Sequence, residues 1–122
     1  MKMFTKNSLD KTNFTELTPV RLHKHEVDEK GLVHVLVPKF TDPILGKILQ
    51  PRIKDKYIKA DFDKFGSALW LFADGKNKID DIVREMKEKF GEEIEPAYNR
   101  ITLFLQQLHK NKLIYFQEFK KD

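Results

Sequence analysis

The stretch from Asp61 to Phe116 constrains the fold more than any other part of this 122-residue chain. Its apolar spacing predicts a strand, three amphipathic helices and a closing strand, with an Asp74-Gly75 stop between the first two helices. Such a module buries its apolar stripes against one another and leaves one strand edge and one helix flank exposed for binding. Because no catalytic constellation lies in this stretch, the pattern favours a binding surface over chemistry.

The composition indicates one soluble domain. Hydrophobic residues make up 40% and charged residues 34% of the chain, which is ordinary for a single modest core. No apolar run approaches the length of a membrane span, and the first residues lack the apolar centre of a signal peptide. With 0 cysteines there is neither a disulfide framework nor a thiolate metal site. We therefore expect a cytoplasmic protein without membrane contact, bound metal or cofactor.

A basic segment precedes the Asp61–Phe116 stretch. The net charge of +4 comes from the first half of the chain. Between Lys39 and Lys59, six Lys and Arg residues stand against two Asp residues. This segment would attract an acidic peptide, an acidic protein or a phosphate backbone, although a solvated loop explains it as well.

The N-terminal half divides into three predicted parts. Residues 1–18 carry isolated apolar residues without a period, so we expect a mobile arm followed by one domain over 19–122. Two strands, 22–27 and 32–37, then flank a tight polar turn. Within an inserted basic segment at 38–56, a short amphipathic helix is predicted from about Asp42 to Gln50.

The predicted hairpin has a core face and a solvent face. If Asp28–Gly31 form the turn, the odd-numbered valines of the second strand share a face with Leu22. His25 then lies opposite His34 on the other face, with His23 nearby. The three histidines could in principle bind a metal, but no carboxylate or fourth ligand is placed beside them by spacing, and a solvated sheet face is the simpler interpretation.

The remaining elements have clear boundaries. Alternation predicts a third strand over Tyr57–Phe62, and Asp63 is a good N-cap for the helix that ends before Gly75. A second helix ends at Gly91, and its start at Lys78 lacks the usual capping residue, a role that Asn77 could take. The last two predicted elements are a third helix from Pro96 to about Lys110 and a closing strand over Leu113–Phe116. The predicted class is α+β, with a three-stranded antiparallel N-terminal sheet, a three-helix bundle and a short closing strand.

The third helix has one flank with apolar content outside its core stripe. Leu103 lies roughly 160° from the centre of the stripe. Arg100, Phe104 and Gln107 fill the arc between Leu103 and the stripe, whereas the opposite flank is polar. This asymmetry is expected where a ligand docks, although a single exposed leucine is also common.

Five runs stand out together in the second half of the chain, namely Asp61–Trp70 with its Gly-Ser pair, Asp74-Gly75, Ile79–Val83, Phe90-Gly91 and Phe104–Leu108. These runs resemble the PqqD-like family, whose members are also called RiPP recognition elements. The resemblance covers roughly Val20 to Phe116 and implies a small winged-helix-like domain. Two departures stand out, the inserted segment after the second strand and the lysine before Ile79.

The resemblance implies a non-catalytic adaptor, or peptide chaperone. Family members bind the leader of a ribosomally made precursor peptide as an added strand beside the third strand, clamp it with the third helix, and present it to a modifying enzyme, often a radical SAM protein. Carried onto this sequence, the peptide-binding residues are Tyr57, Ile58, Lys59, Ala60, Asp61, Arg100, Leu103, Phe104 and Gln107. The implied leader has an acidic residue for Arg100 or Lys59 and an apolar residue near Phe104.

Two other uses of these surfaces compete with peptide binding. A winged helix could place its third helix in the DNA major groove, but Glu92, Glu93 and Glu95 stand against Arg100 at that helix, which disfavours nucleic acid. The strand edge could also be covered by residues 38–56 or pair with a second copy to form a homodimer.

Overall fold

The computed structural model describes residues 14–38 and 57–119, and its class is α+β, as the sequence predicts. These described residues form a three-stranded antiparallel sheet, a second two-stranded sheet and three helices. In chain order the elements are β1 Pro19–Arg21, β2 His25–Val27, β3 Val33–Pro38, β4 Tyr57–Asp61, α1 Lys64–Phe72, α2 Ile79–Phe90, α3 Ala97–Lys110 and β5 Ile114–Phe116. A 3-10 turn, Gly91–Ile94, joins α2 to α3, and a second one, Gln117–Phe119, follows β5.

The three-stranded sheet has the order β2-β3-β4. The predicted hairpin exists, but its register is shifted by one residue. His25 pairs with Val35, and His34 pairs with Glu26, so the prediction that the two histidines face each other is wrong. The Asp28 N–H donates to the Leu32 carbonyl, which makes the connection one residue longer than predicted. Since side chains alternate between faces, this single residue moves His25 to the core face.

A second sheet, which the sequence pattern does not predict, joins β1 to β5. Leu22 was expected on the core face, yet its side chain is 48% exposed. The Leu22 N–H donates to the Leu113 carbonyl, so this part of the chain follows β5 rather than the hairpin. The first strand of the hairpin therefore starts only at His25.

The helices match the predicted order and ends closely. The Asp63 carboxylate accepts from the Gly66 N–H at 2.8 Å and caps α1. The α2 helix ends at Phe90, with Gly91 at φ 59° as the C-cap, and the closing strand is confirmed. Pro96 precedes α3 as its N-cap and is not its first helical residue.

The backbone N–H groups at the start of α2 find acceptors although Lys78 provides no capping side chain. The Lys78 N–H donates to the Asp81 carboxylate at 3.2 Å, and the Ile79 N–H donates to the Leu17 carbonyl at 2.8 Å. Asn77, the proposed substitute cap, instead donates from its amide to the end of α1. A distant backbone segment thus supplies an acceptor that local sequence lacks.

Phe14, Leu17 and Thr18 are buried, which corrects the end of the predicted arm. Phe14 is 2% exposed, and its ring meets that of Phe116 edge-on with 5.6 Å between centroids. Leu17 is buried in the same cluster. The prediction of a mobile arm is wrong for 14–18, because isolated apolar residues without a period can still fill a tertiary gap. The predicted helix at 42–50 lies outside the described residues.

Candidate binding site

An apolar groove runs between α1 and α3. Its volume is about 350 Å³, within the range of ligand sites in proteins. The four helix residues predicted from the sequence, Arg100, Leu103, Phe104 and Gln107, all line it. Leu103 is 57% exposed, so an apolar side chain does lie on the flank that the sequence pattern singled out. The rest of the lining is Asp63, Phe65, Gly66, Leu69, Met86, Ile94 and Ile101.

The groove lining includes the guanidinium of Arg100, which contacts the turn after α2. The Arg100 guanidinium lies over the Phe65 ring, 4.9 Å from its centroid, and donates to the Glu93 carbonyl at 2.9 Å. The Lys64 ammonium lies 2.8 Å from the Glu93 carboxylate. A guanidinium has five N–H donors, and this hydrogen bond uses one of them. Arg100 can therefore still bind an acidic group at the rim.

Phe62 connects the groove to β4. It follows directly after the strand, and its ring meets that of Phe104 edge-on at 5.5 Å and that of Trp70 at 5.8 Å. The groove lining does not include any residue of β4 itself. The strand and helix halves of the predicted site thus adjoin through one aromatic contact without sharing a pocket.

The hydrogen bonding of β3 determines which main-chain groups of β4 face outward. The Phe62 N–H donates to the Val33 carbonyl at 3.0 Å. Hydrogen-bonded pairs alternate along an antiparallel ladder, so Ile58 and Ala60 also face β3. The main-chain groups of Tyr57, Lys59 and Asp61 consequently point away from β3. Within ranges 14–38 and 57–119, β3 is the only strand paired with β4.

The outer face of the sheet carries a network of charged side chains. His34 lies between two carboxylates, with Nδ1 2.6 Å from Asp61 and Nε2 2.8 Å from Asp28. These hydrogen bonds, that to Asp61 first, raise the pKa of His34 above its ordinary value. Lys59 pairs with Glu26 at 3.1 Å across the sheet, and both side chains are exposed.

The three histidines considered as metal ligands point to different surroundings. His23 Nε2 lies 3.0 Å from the Lys112 carbonyl, and the His25 ring meets that of Trp70 edge-on at 6.2 Å. Burial, and then the charge of Arg21, lowers the pKa of His25. Among the described residues, no group of three or more potential ligands is arranged to hold a metal ion.

Two residues next to the groove were missed as positioning residues. Gly66 lies on the lining, buried inside α1. Ser67 is buried beside it, and its Oγ accepts a hydrogen bond from the Val33 N–H at 2.8 Å, which ties α1 to the sheet. The available signal was the Gly-Ser pair within a helical pattern, since an interior glycine weakens a helix and commonly has a packing reason.

One of the comparisons with known proteins gave a match. Residues 55–114 match the sequence model of the family described as coenzyme PQQ synthesis protein D (PqqD). This span includes β4, all three helices and the groove. Searches of curated proteins and of solved structures gave no significant match. No helix in the described part of the chain is both long and apolar enough to cross a membrane. The match over residues 55–114 supports the assignment of this chain to the PqqD-like family.

Proposed function

We propose that this protein is a non-catalytic cytoplasmic adaptor that binds the leader of a ribosomally synthesised precursor peptide. It pairs the leader with β4 and presents the peptide to a modifying enzyme such as a radical SAM protein. The observation that supports this best is the outward-facing edge of β4 beside an apolar groove, joined to it by the contact between Phe62 and Phe104. The family match over the same span gives the proposal its biosynthetic context.

In this proposal the edge of β4 provides the affinity for the peptide, and the groove provides the specificity. A peptide strand beside β4 would exchange hydrogen bonds with the main chain of Tyr57, Lys59 and Asp61. Each such bond contributes about 0.5–1.5 kcal/mol net. Because side chains alternate, every second peptide residue would face the helices and its neighbours would face the outer side of the sheet. An apolar residue in the alternating series would then reach the groove.

The charges favour an acidic residue in the leader. Within residues 14–38 and 57–119, the hydrogen bond to the Glu93 carbonyl occupies one of the five N–H donors of Arg100. Among the described residues, Lys59 forms an exposed ion pair with Glu26, and exposed pairs contribute little to stability. Lys59 could therefore leave Glu26 and pair with a peptide carboxylate at little cost in free energy.

The test starts from the full-length chain and a phage-displayed library of short random peptides. We expect enrichment of peptides that combine an apolar residue with an acidic one. A synthetic copy of the enriched peptide then gives the affinity of each variant by isothermal titration calorimetry. The proposal would be contradicted if no peptide were enriched, or if duplex DNA displaced the bound peptide at low salt.

The decisive variants lie at adjacent positions of β4. Lys59→Pro removes an N–H that faces outward. It should lower the affinity for the peptide by about tenfold, which corresponds to about 1.4 kcal/mol of binding free energy. Lys59→Ala is the control for the lost side chain and should bind better than Lys59→Pro. Ala60→Pro removes an N–H that faces β3, so it should disrupt the sheet itself, as circular dichroism would report.

Equal affinity of Lys59→Pro and Lys59→Ala would overturn pairing along this edge. Sedimentation of the same variants covers the alternative occupant of the edge. A wild-type dimer that Lys59→Pro converts to a monomer would assign β4 to a second copy of the chain.

A further inference from the structure

Gly66 is a glycine that its own backbone conformation does not require. Among the described glycines, Gly31, Gly75 and Gly91 have positive φ angles, whereas Gly66 lies within α1 without one. Glycine is among the poorest residues for a helix interior. The reason for glycine at this position must therefore be the space that a side chain would occupy.

That space is taken by the aromatic wall of the groove. A Cβ atom on Gly66 would lie 3.2 Å from Cζ of Phe104 and 3.3 Å from Cβ of Phe62. Both distances are shorter than ordinary carbon contacts. The absence of a side chain thus allows the Phe104 ring to rest against the backbone of α1, with Phe62 edge-on to it.

Phe104 has room to move on the side of the groove. Phe62 borders it on the strand side, and Phe62 in turn packs against the fully buried Trp70. Phe104 itself is only half-buried and lines the groove. A methyl group at position 66 would therefore push the ring toward the open groove and reduce its volume.

We propose that the contact between Gly66 and Phe104 sets the size of the peptide side chain that the groove admits. The occupant is a large aliphatic or aromatic residue of the peptide, and this inference rests on the proposed peptide binding. Gly66 acts as a positioning residue, because it determines specificity through the place of the Phe104 ring. The outer face of β4 has no part in this selection.

The test repeats the library selection with variants of the full-length chain. Gly66→Ala should shift the enriched apolar residue toward smaller side chains. It should also lower the affinity for the peptide selected by the wild-type chain by about tenfold, which is at the low end of the effect of one methylene group in an apolar pocket. Phe104→Leu should shift the selection toward larger residues. The double variant Gly66→Ala, Phe104→Leu relieves the short contact and should recover the affinity that Gly66→Ala loses.

The outcomes separate this inference from the proposed function. If the wild-type chain enriches no peptide, the proposed function fails. If the wild-type chain binds but both single variants select the same residues as wild type, the size selection by Gly66 and Phe104 is overturned. If Gly66→Ala does not fold, Phe104→Leu and Phe104→Trp still decide the question, since they should move the preferred side chain in opposite directions.

Discussion

His34 shows how a single residue acquires its role from neighbours distant in the sequence. Asp28 lies in the hairpin turn and Asp61 at the end of β4, and each accepts from one ring nitrogen. Two carboxylates on opposite ring nitrogens favour the doubly protonated imidazole. The Asp28 carboxylate also accepts from the N–H groups of Lys30 and Leu32, so the turn and the strand end are linked through one ring.

We expect His34 to make stability fall as the pH rises. Its pKa is raised in the folded protein, so its contribution is complete below the ordinary value of 6.5 and is lost as the pH passes through the raised pKa. Burial lowers the pKa of His25 and of His109, which makes stability change in the opposite direction. The measurement is therefore the difference in melting temperature between wild type and His34→Gln across pH 5–9.

This difference should be largest at the acidic end and shrink toward alkaline pH. Glu26, Lys59, Asp28 and Asp61 are the charged groups that line the same surface pocket as His34. A Lys59→Ala variant serves as the control for their general electrostatic effect. A constant difference across the pH range would contradict the role assigned to the two hydrogen bonds.

At the scale of elements, the start of α2 depends on a segment that is far away in the sequence. The carbonyls of Thr15 and Leu17 accept from the Asp80 and Ile79 N–H groups. The Thr18 N–H and hydroxyl both donate to the Glu118 carboxylate at 2.7 Å, which brings the chain after β5 to the same place. Local helix signals could predict the length of α2 but not these partners, because the acceptors come from tertiary contacts.

Phe14 should behave as a core residue. Phe14→Ala removes a ring that is 2% exposed, and we expect a loss of about 3–5 kcal/mol in the free energy of unfolding. Urea denaturation measures it, with Phe14→Leu as the conservative control that should lose less. An alanine variant as stable as wild type would show that this segment is not part of the folded core.

At the scale of the whole molecule, Ser67 joins the helices to the sheet. Its hydroxyl accepts from Val33 on β3, and both residues are buried. Ser67→Ala would leave the Val33 N–H without this acceptor, so we expect a loss of about 1–3 kcal/mol in unfolding free energy. Lys64→Ala on the exposed face of α1 is the control and should change it by less than about 1 kcal/mol. Equal effects of the two substitutions would contradict the role of the hydroxyl.

Most of the fold and the exposed flank of α3 in the candidate site were predictable from local pattern. The order and ends of the helices follow from apolar spacing and from punctuation such as Asp63 and Gly91. The exposed position of Leu103 follows from helical periodicity alone. The hairpin register was not predictable, since one extra residue in the turn changes no apolar pattern yet exchanges the faces.

What the sequence by itself determined is the order of the helices, their ends and their apolar faces, because these depend on neighbours within a few residues. The tertiary structure alone decided that β1 pairs with β5, that Phe14 is buried and that Lys59 directs its main chain outward. It also decided that Gly66 lies against Phe104. These features depend on groups that are distant along the chain, and only packing brings such groups within contact.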